Sequence, residues 1–139
     1  MYLTPRADAP IACDMTTARD TPDERIVEYD ALFAQALLSR ERRSDSVVLT
    51  FRGDVREQVE DLARREYACC PFLGYRVETA GDRVVWTISG DERAGAQATL
   101  DAFDALADQA GTGVEGMMDR LAERGVNVLS PSAKRFEVR

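Results

Sequence analysis

The sequence contains no histidine. That absence removes Ser-His-Asp and Cys-His catalysis, histidine-held haem and every imidazole-ligated zinc or copper site. Any metal must therefore be held by sulfur or oxygen. There are only three cysteines, too few for a disulfide-dense mini-protein, and a chain of 139 residues has no need of one. At that length a domain buries roughly 65 to 70% of its unfolded surface and holds a core without staples. Aromatics are scarce at 7%, and no apolar run approaches the roughly 18 residues of a membrane span. The first ten residues lack the apolar stretch of a secretory signal. Cationic charge is in the minority: 18 Lys+Arg against 25 Asp+Glu leave a formal charge of -7. Such a surface repels nucleic-acid phosphates and anionic lipid headgroups. These absences predict a cytoplasmic protein with no nucleic-acid or membrane partner. In that compartment thiols stay reduced, so the cysteines read first as free thiols, metal ligands or redox groups.

What is present is ordinary globular composition, 45% hydrophobic and 31% charged, with no repeat, no low-complexity tract and no Gly/Ser linker. One domain over 1–139 is expected. Pro10 to Met15 partly alternates and suits an edge strand or an extended arm. Thr21-Pro22-Asp23-Glu24 has the signature of a capping box with proline at the first helical position. Ile26, Leu32 or Phe33, Ala36 and Leu37 then keep one face apolar, predicting a helix from about 22 to 42. The base-rich Arg40-Glu41-Arg42-Arg43 would compensate the negative end of its dipole or, less simply, hold an anion.

Ser46 to Arg52 is β-branched and closed by Gly53, the pattern of a strand. Asp54 reads as the cap of a second helix with Val55, Val59, Leu62, Ala63 and Glu66 on one face. Pro71 ends that helix at Tyr67 to Cys70. Leu73 to Thr79 and Val84 to Ile88 alternate around Ala80-Gly81-Asp82, a hairpin. Asp91 opens a third helix through Ala107, and Gly111-Thr112-Gly113 breaks it. Val114, Met117, Met118 and Leu121 share one face of a fourth helix that stops at Gly125. Val126 to Leu129 makes a last strand, and 130–139 is a polar tail. The order (β)αβαββα plus an αβ tail predicts an α+β fold, a small mixed sheet with helices on one face. The core would span about 9–107, with 110–139 as an extension.

Chemistry concentrates in Glu66-Tyr67-Ala68-Cys69-Cys70-Pro71-Phe72. Spacings of three and four put Glu66 on the helical face of both thiols. A carboxylate on an apolar face needs an arginine, a backbone amide or a cation. The break at Pro71 frees Cys70 to turn, so two sulfurs can face one ligand, and Cys13 is the remaining thiol that can complete the set. Thiolates select soft acceptors, Cu(I), Zn(II), Hg(II) or As(III). Three of them suit trigonal As(III) or Hg(II), and three with Glu66 suit tetrahedral zinc. Two other readings stand beside this metal site of Cys13, Cys69, Cys70 and Glu66. One is a small-molecule enzyme with a reactive Cys69 or Cys70 thiol and the Trp86/Tyr75 region, near Phe72, as pocket wall. The other is a structural or interaction module with buried, inert cysteines. The end of a helix disfavours a thiolate nucleophile unless a cation compensates, and Arg64 and Arg65, both solvent-facing by pattern, are the nearest in sequence. Met15, Met117 and Met118 read as core, and Asp101, Asp104 and Asp108 as a solvated stripe. No Walker, dinucleotide or calcium-loop motif is present, so neither nucleotide nor haem is expected.

Pro10-Ile11-Ala12-Cys13, Val48 to Arg52 and Leu62 to Leu73 resemble a family of small bacterial proteins with an I-A-C start and an E-x-x-C-C-P-F centre. The resemblance covers about 9–107. Some members are associated with mercury or arsenic resistance and metal-responsive regulators. It implies a soft-metal role for Cys13, Cys69 and Cys70, with Glu66 carried along by the motif. A helix-turn-helix upstream of the motif is missing here, which makes a repressor acting alone an unsuitable reading. The extension is left with a lid, a homodimer contact or a partner site as its possible uses.

Overall fold

The computed structural model describes residues 1–106 and 113–129, without the side chains of 113–117. A short strand β1 (Tyr2–Leu3) and a second, β2 (Ala12–Asp14), precede helix α1 (Pro22–Ala36). Strands β3 (Leu37–Arg42) and β4 (Ser46–Arg52) follow, then a 3-10 turn at Gly53–Val55 and helix α2 (Arg56–Cys69). The hairpin β5 (Gly74–Ala80) and β6 (Arg83–Ser89) leads to α3 (Ala94–Ala105), α4 (Gly113–Glu123) and β7 (Asn127–Leu129). The fold is α+β. Antiparallel and parallel pairing are separated: β1-β5-β6-β4-β3 form an antiparallel sheet, while β2 and β7 pair in parallel in a second, two-stranded sheet.

Alternation decides what the large sheet buries. Val47, Leu49 and Phe51 of β4 stand opposite Ile88, Trp86 and Val84 of β6, and Tyr75 and Val77 of β5 extend the same face. All eight are buried. Side chains on that face meet Tyr29 and Phe33 of α1, Leu62 and Val59 of α2 and Phe103 of α3 in one core cluster. Tyr29 stacks on Trp86 with centroids 6.3 Å apart, and Phe103 meets the indole edge-on at the same distance. Gly81, at φ 62°, makes the hairpin turn, and Gly125, at φ 84°, turns the chain out of α4 into β7.

The predicted helix over 22–42 is corrected. Its start is as expected, with Thr21 and Glu24 forming both arms of the capping box. It ends at Ala36 because Leu37 is extended, at φ -70° and ψ 125°, and the next residues pair with β4 (Arg40 opposite Leu49, Arg42 opposite Val47). Satisfying a row of backbone groups on the sheet outweighs the helix propensity of Leu, Arg and Glu. The basic run is therefore an edge strand, not a dipole cap or anion site: Arg42 pairs with Asp101, and Arg43 with Glu41. Two caps also move. Asp54 sits in the 3-10 turn beside Arg52, and Val55 precedes α2. Asp91 binds the Arg93 guanidinium, and α3 starts at Ala94. The acidic stripe is not simply solvated, since Asp101 pairs with Arg42 and Arg124. The strand β1 has no counterpart among the expected elements. Asp108, the break at Gly111-Thr112 and the tail 130–139 lie outside the described residues, as do the side chains of Val114 and Met117.

Candidate functional site

The end of α2 carries the site. Glu66 and Cys69 lie one turn apart on its buried face, and Cys70 is the first residue out of the helix, its N–H still donating to the Glu66 carbonyl at 2.6 Å. Pro71 follows, so the backbone leaves helical geometry and Cys70 turns toward β2. There it forms a disulfide with Cys13, with the two Cα atoms 4.6 Å apart. Cys13 is held in place because β2 pairs with β7, opposite Val128, and Met15 N–H donates to the Leu129 carbonyl. Cys69 remains a free, buried thiol, with its Sγ 3.8 Å from that of Cys70. The expectation of three reduced thiols is thus corrected. The expectation that Cys13, Cys69 and Cys70 converge is met, and so is the shared face of Glu66, Cys69 and Cys70, whose ligand atoms all lie within 4.8 Å of one another. This group could hold a metal ion once Cys70 is released from its bridge to Cys13.

The cation beside the thiols is Arg25 of α1, not Arg64 or Arg65. Its Nη1 donates to Glu66 Oε1 at 2.9 Å and to Cys69 Sγ at 3.3 Å. Nε and Nη2 form a two-pronged bond with the Asp20 carboxylate at 2.8 and 2.6 Å. Arg25 is only 4% exposed and Glu66 6%. Arg65 is mostly buried rather than solvent-facing and pairs with Asp20, Glu28 and Asp61. The spacing of α1 held one signal for Arg25: it lies four residues before Tyr29 and seven before Leu32, in register with the apolar face, where an arginine requires a buried acid.

Burial raises the Glu66 carboxyl above its ordinary value, with Arg25 opposing the rise. Burial and then the Glu66 charge push the Cys69 thiol up to about 12, again against Arg25. Asp20, by contrast, is held below the usual carboxylate range by its bond to Arg25. Arg25 stays charged: burial works against it, but Asp20 and Glu66 more than compensate. Cys69 is therefore protonated at neutral pH, which disfavours a nucleophilic thiolate and fits the helix-end argument. A metal ion does not meet this barrier in the same way, since coordination itself displaces the proton.

These groups border a cavity of about 70 Å3. Arg25, Ile26 and Tyr29 contribute one wall, the three cysteines and Glu66 another, and Phe103, Leu121 and Val128 close it. The Tyr29 hydroxyl faces Glu66 without completing a hydrogen bond of good geometry. Trp86 and Tyr75 do not line this cavity: Trp86 is fully buried under Tyr29, and the Tyr75 hydroxyl donates to the Cys70 carbonyl at 3.0 Å, fixing the helix end from behind. Leu121 and Val128, in the described part of the predicted extension, line the cavity. Met15 also lines the cavity through β2.

The chain matches no protein-family model, no curated protein and no solved structure. The chemistry of the site must accordingly be read from its own residues. Among the described residues no helix is long and apolar enough to cross a membrane.

Proposed function

We propose that the reduced protein captures a thiophilic metal or metalloid ion through Cys13, Cys69 and Cys70. The observation that carries this reading is the meeting of three sulfurs from two elements at one cavity wall, Cys70 being bonded to Cys13 and 3.8 Å from Cys69. Sulfur donors at that spacing suit a soft acceptor among As(III), Hg(II), Zn(II) and Cu(I). Arg25 supports the Cys69 thiolate that coordination creates, from 3.3 Å away.

Charge narrows the acceptor. Glu66 is committed to Arg25 at 2.9 Å, and Arg25 also holds Asp20, so this cluster has no spare positive charge to offset an anionic complex. Three thiolates around a trivalent metalloid make a neutral complex, whereas a divalent ion leaves a net negative charge to be buried. Trigonal As(III) thus fits best, and zinc needs Glu66 to share itself between the ion and Arg25.

Native mass spectrometry of reduced protein titrated with As(III), Hg(II), Zn(II) and Cu(I) tests the reading. We expect one ion per chain, lost or weakened at least tenfold by Cys69→Ser and by Cys13→Ser, with both variants still folded by circular dichroism. An absence of adducts with every ion, or adducts indifferent to both substitutions, overturns it and leaves the cysteines a packing role.

A further inference from the structure

The bridge in this structure joins the two sulfurs that come from different elements. Cys13 stands on β2 and Cys70 at the break after α2, and the neighbours Cys69 and Cys70 are left unjoined. A Cys13–Cys70 bridge removes two of the three donors at once. What remains is Cys69, a single thiol on the same helical turn as Glu66. One thiol and a carboxylate already paired with Arg25 make no chelate.

We infer that oxidation releases the ion: Cys13 and Cys70 are ligands when reduced and a disulfide when oxidised, so that capture and bridging exclude each other. This rests on the capture reading above. The oxidant it requires is a low-molecular-weight disulfide, RSSR. One cysteine sulfur, Cys13 or Cys70, attacks RSSR and expels RS⁻, giving a mixed disulfide. The other attacks the protein sulfur of that mixed disulfide, expelling a second RS⁻ and closing the bridge. The protein loses two electrons, RSSR gains them, one S–S bond breaks and one forms. The ion keeps its oxidation state and leaves to water or to the RS⁻ produced. Cys13 and Cys70 both line the cavity, and both are buried, so the reagent reaches them when the cavity opens.

The exchange reaches beyond the sulfurs. Cys13 is opposite Val128 in the β2–β7 pair, and Val128 and Leu121 of the same C-terminal region also line the cavity. Closing the bridge ties this layer covalently to the end of α2, and opening it exchanges that covalent tie for coordination through the ion.

Linkage makes the inference quantitative. A ligand at a hundred times its dissociation constant stabilises the reduced form about a hundredfold, which is about 59 mV in the two-electron potential of the bridge. The test loads reduced protein with As(III) and, separately, with Zn(II), then adds oxidised glutathione, with equal reduced glutathione as the control. Native mass spectrometry follows both the adduct and the two-dalton loss that marks the bridge. We expect adduct loss to track bridge formation one for one, little loss in the control, and slower bridging as free ion is raised. Cys13→Ser, which keeps Cys69 and Cys70 but cannot form this bridge, should hold its weaker adduct under the same oxidant, and its loss at the parent's rate counts against release through the bridge. Bridged protein that keeps its ion, or loaded protein in which no Cys13–Cys70 bridge forms, overturns the release mechanism while leaving capture standing. Reduced protein that loads none of As(III), Hg(II), Zn(II) and Cu(I) overturns capture and release together, even if the bridge forms normally.

Discussion

Two arginines share Asp20 and differ in everything else. Arg65, on α2, has a side chain 12% exposed and touches only carboxylates, those of Asp20, Glu28 and Asp61. Arg25, on α1, is a third as exposed and spends one nitrogen on Glu66 and Cys69 together. Water still reaches the first network through its exposed members, Asp61 at 40% and Arg19 at 67%. Nothing comparable relieves the second. Burying a guanidinium and a carboxylate costs several kcal/mol per ion, and the attraction between them does no more than offset this. A pair of apolar residues would serve the core at least as well. The comparison teaches that Arg65 is explained by the ions around it, whereas Arg25 and Glu66 are explained only by the thiol they face.

The largest effect should come from splitting the buried pair. Arg25→Met leaves Glu66 uncompensated and should cost about 3–5 kcal/mol in urea unfolding. Replacing both, Arg25→Met with Glu66→Met, should recover most of that loss. If the double variant is instead as unstable as the single one, the pair is a stability device and the contrast with Arg65 fails. The recovered protein should still lose ion capture, since Cys69 has lost the guanidinium it bonds.

Next comes the bridge. Cys13 and Cys70 are 57 residues apart, so closing that loop constrains the unfolded chain by roughly 4 kcal/mol in the chain-entropy model. Reduction should therefore lower stability by about 2–4 kcal/mol, and a saturating ion should restore part of it. Equal stability of the oxidised and reduced forms in thermal unfolding would count against a well-formed bridge.

How much of this was legible follows a physical division. Where a residue's partners are local, the sequence spoke clearly: the capping box at Thr21, the Gly81 turn, the stop at Pro71 and the shared face of Glu66 and Cys69 all depend on neighbours within four positions. Where a distant partner decides, it was misleading. Leu37 to Arg42 has helical composition, and only β4, reached through a turn, makes it a strand. Arg25 is an ordinary helical charge until α2 brings Glu66, 41 positions on, against it. The meeting of Cys13 with Cys70 was readable as residue types, because the ligand set lacked a third sulfur, but the covalent bond between them was not. It depends on β7 holding β2 in place, a pairing across more than a hundred residues.

The smaller predictions return to the two arginines. Arg65→Met should cost only about 1 kcal/mol, because its exposed acids regain water when it goes. A loss comparable with that of Arg25→Met would erase the distinction between the networks.

Acid and base should separate them with opposite signs. Asp20 and Glu28 have carboxyls held below their ordinary values, by Arg25 and Arg65 respectively, so their contribution is present near neutrality and disappears as pH falls below about 4. Glu66 is raised by burial, so the folded protein binds its proton more tightly than the unfolded chain. Its contribution is full below the ordinary value of 4.5 and is lost as pH rises through the higher folded value. Glu66→Gln keeps the shape and removes the titration. Its melting temperature should lie flatter than the parent's above pH 4.5, while the acid limb below pH 4, to which Asp20, Glu28, Asp91 and Asp101 contribute, stays in place. If the substitution moves the acid limb and leaves the upper range unchanged, Glu66 titrates as an ordinary paired carboxylate. The low dielectric that sets it apart, and that holds the Cys69 proton until an ion displaces it, would then be absent.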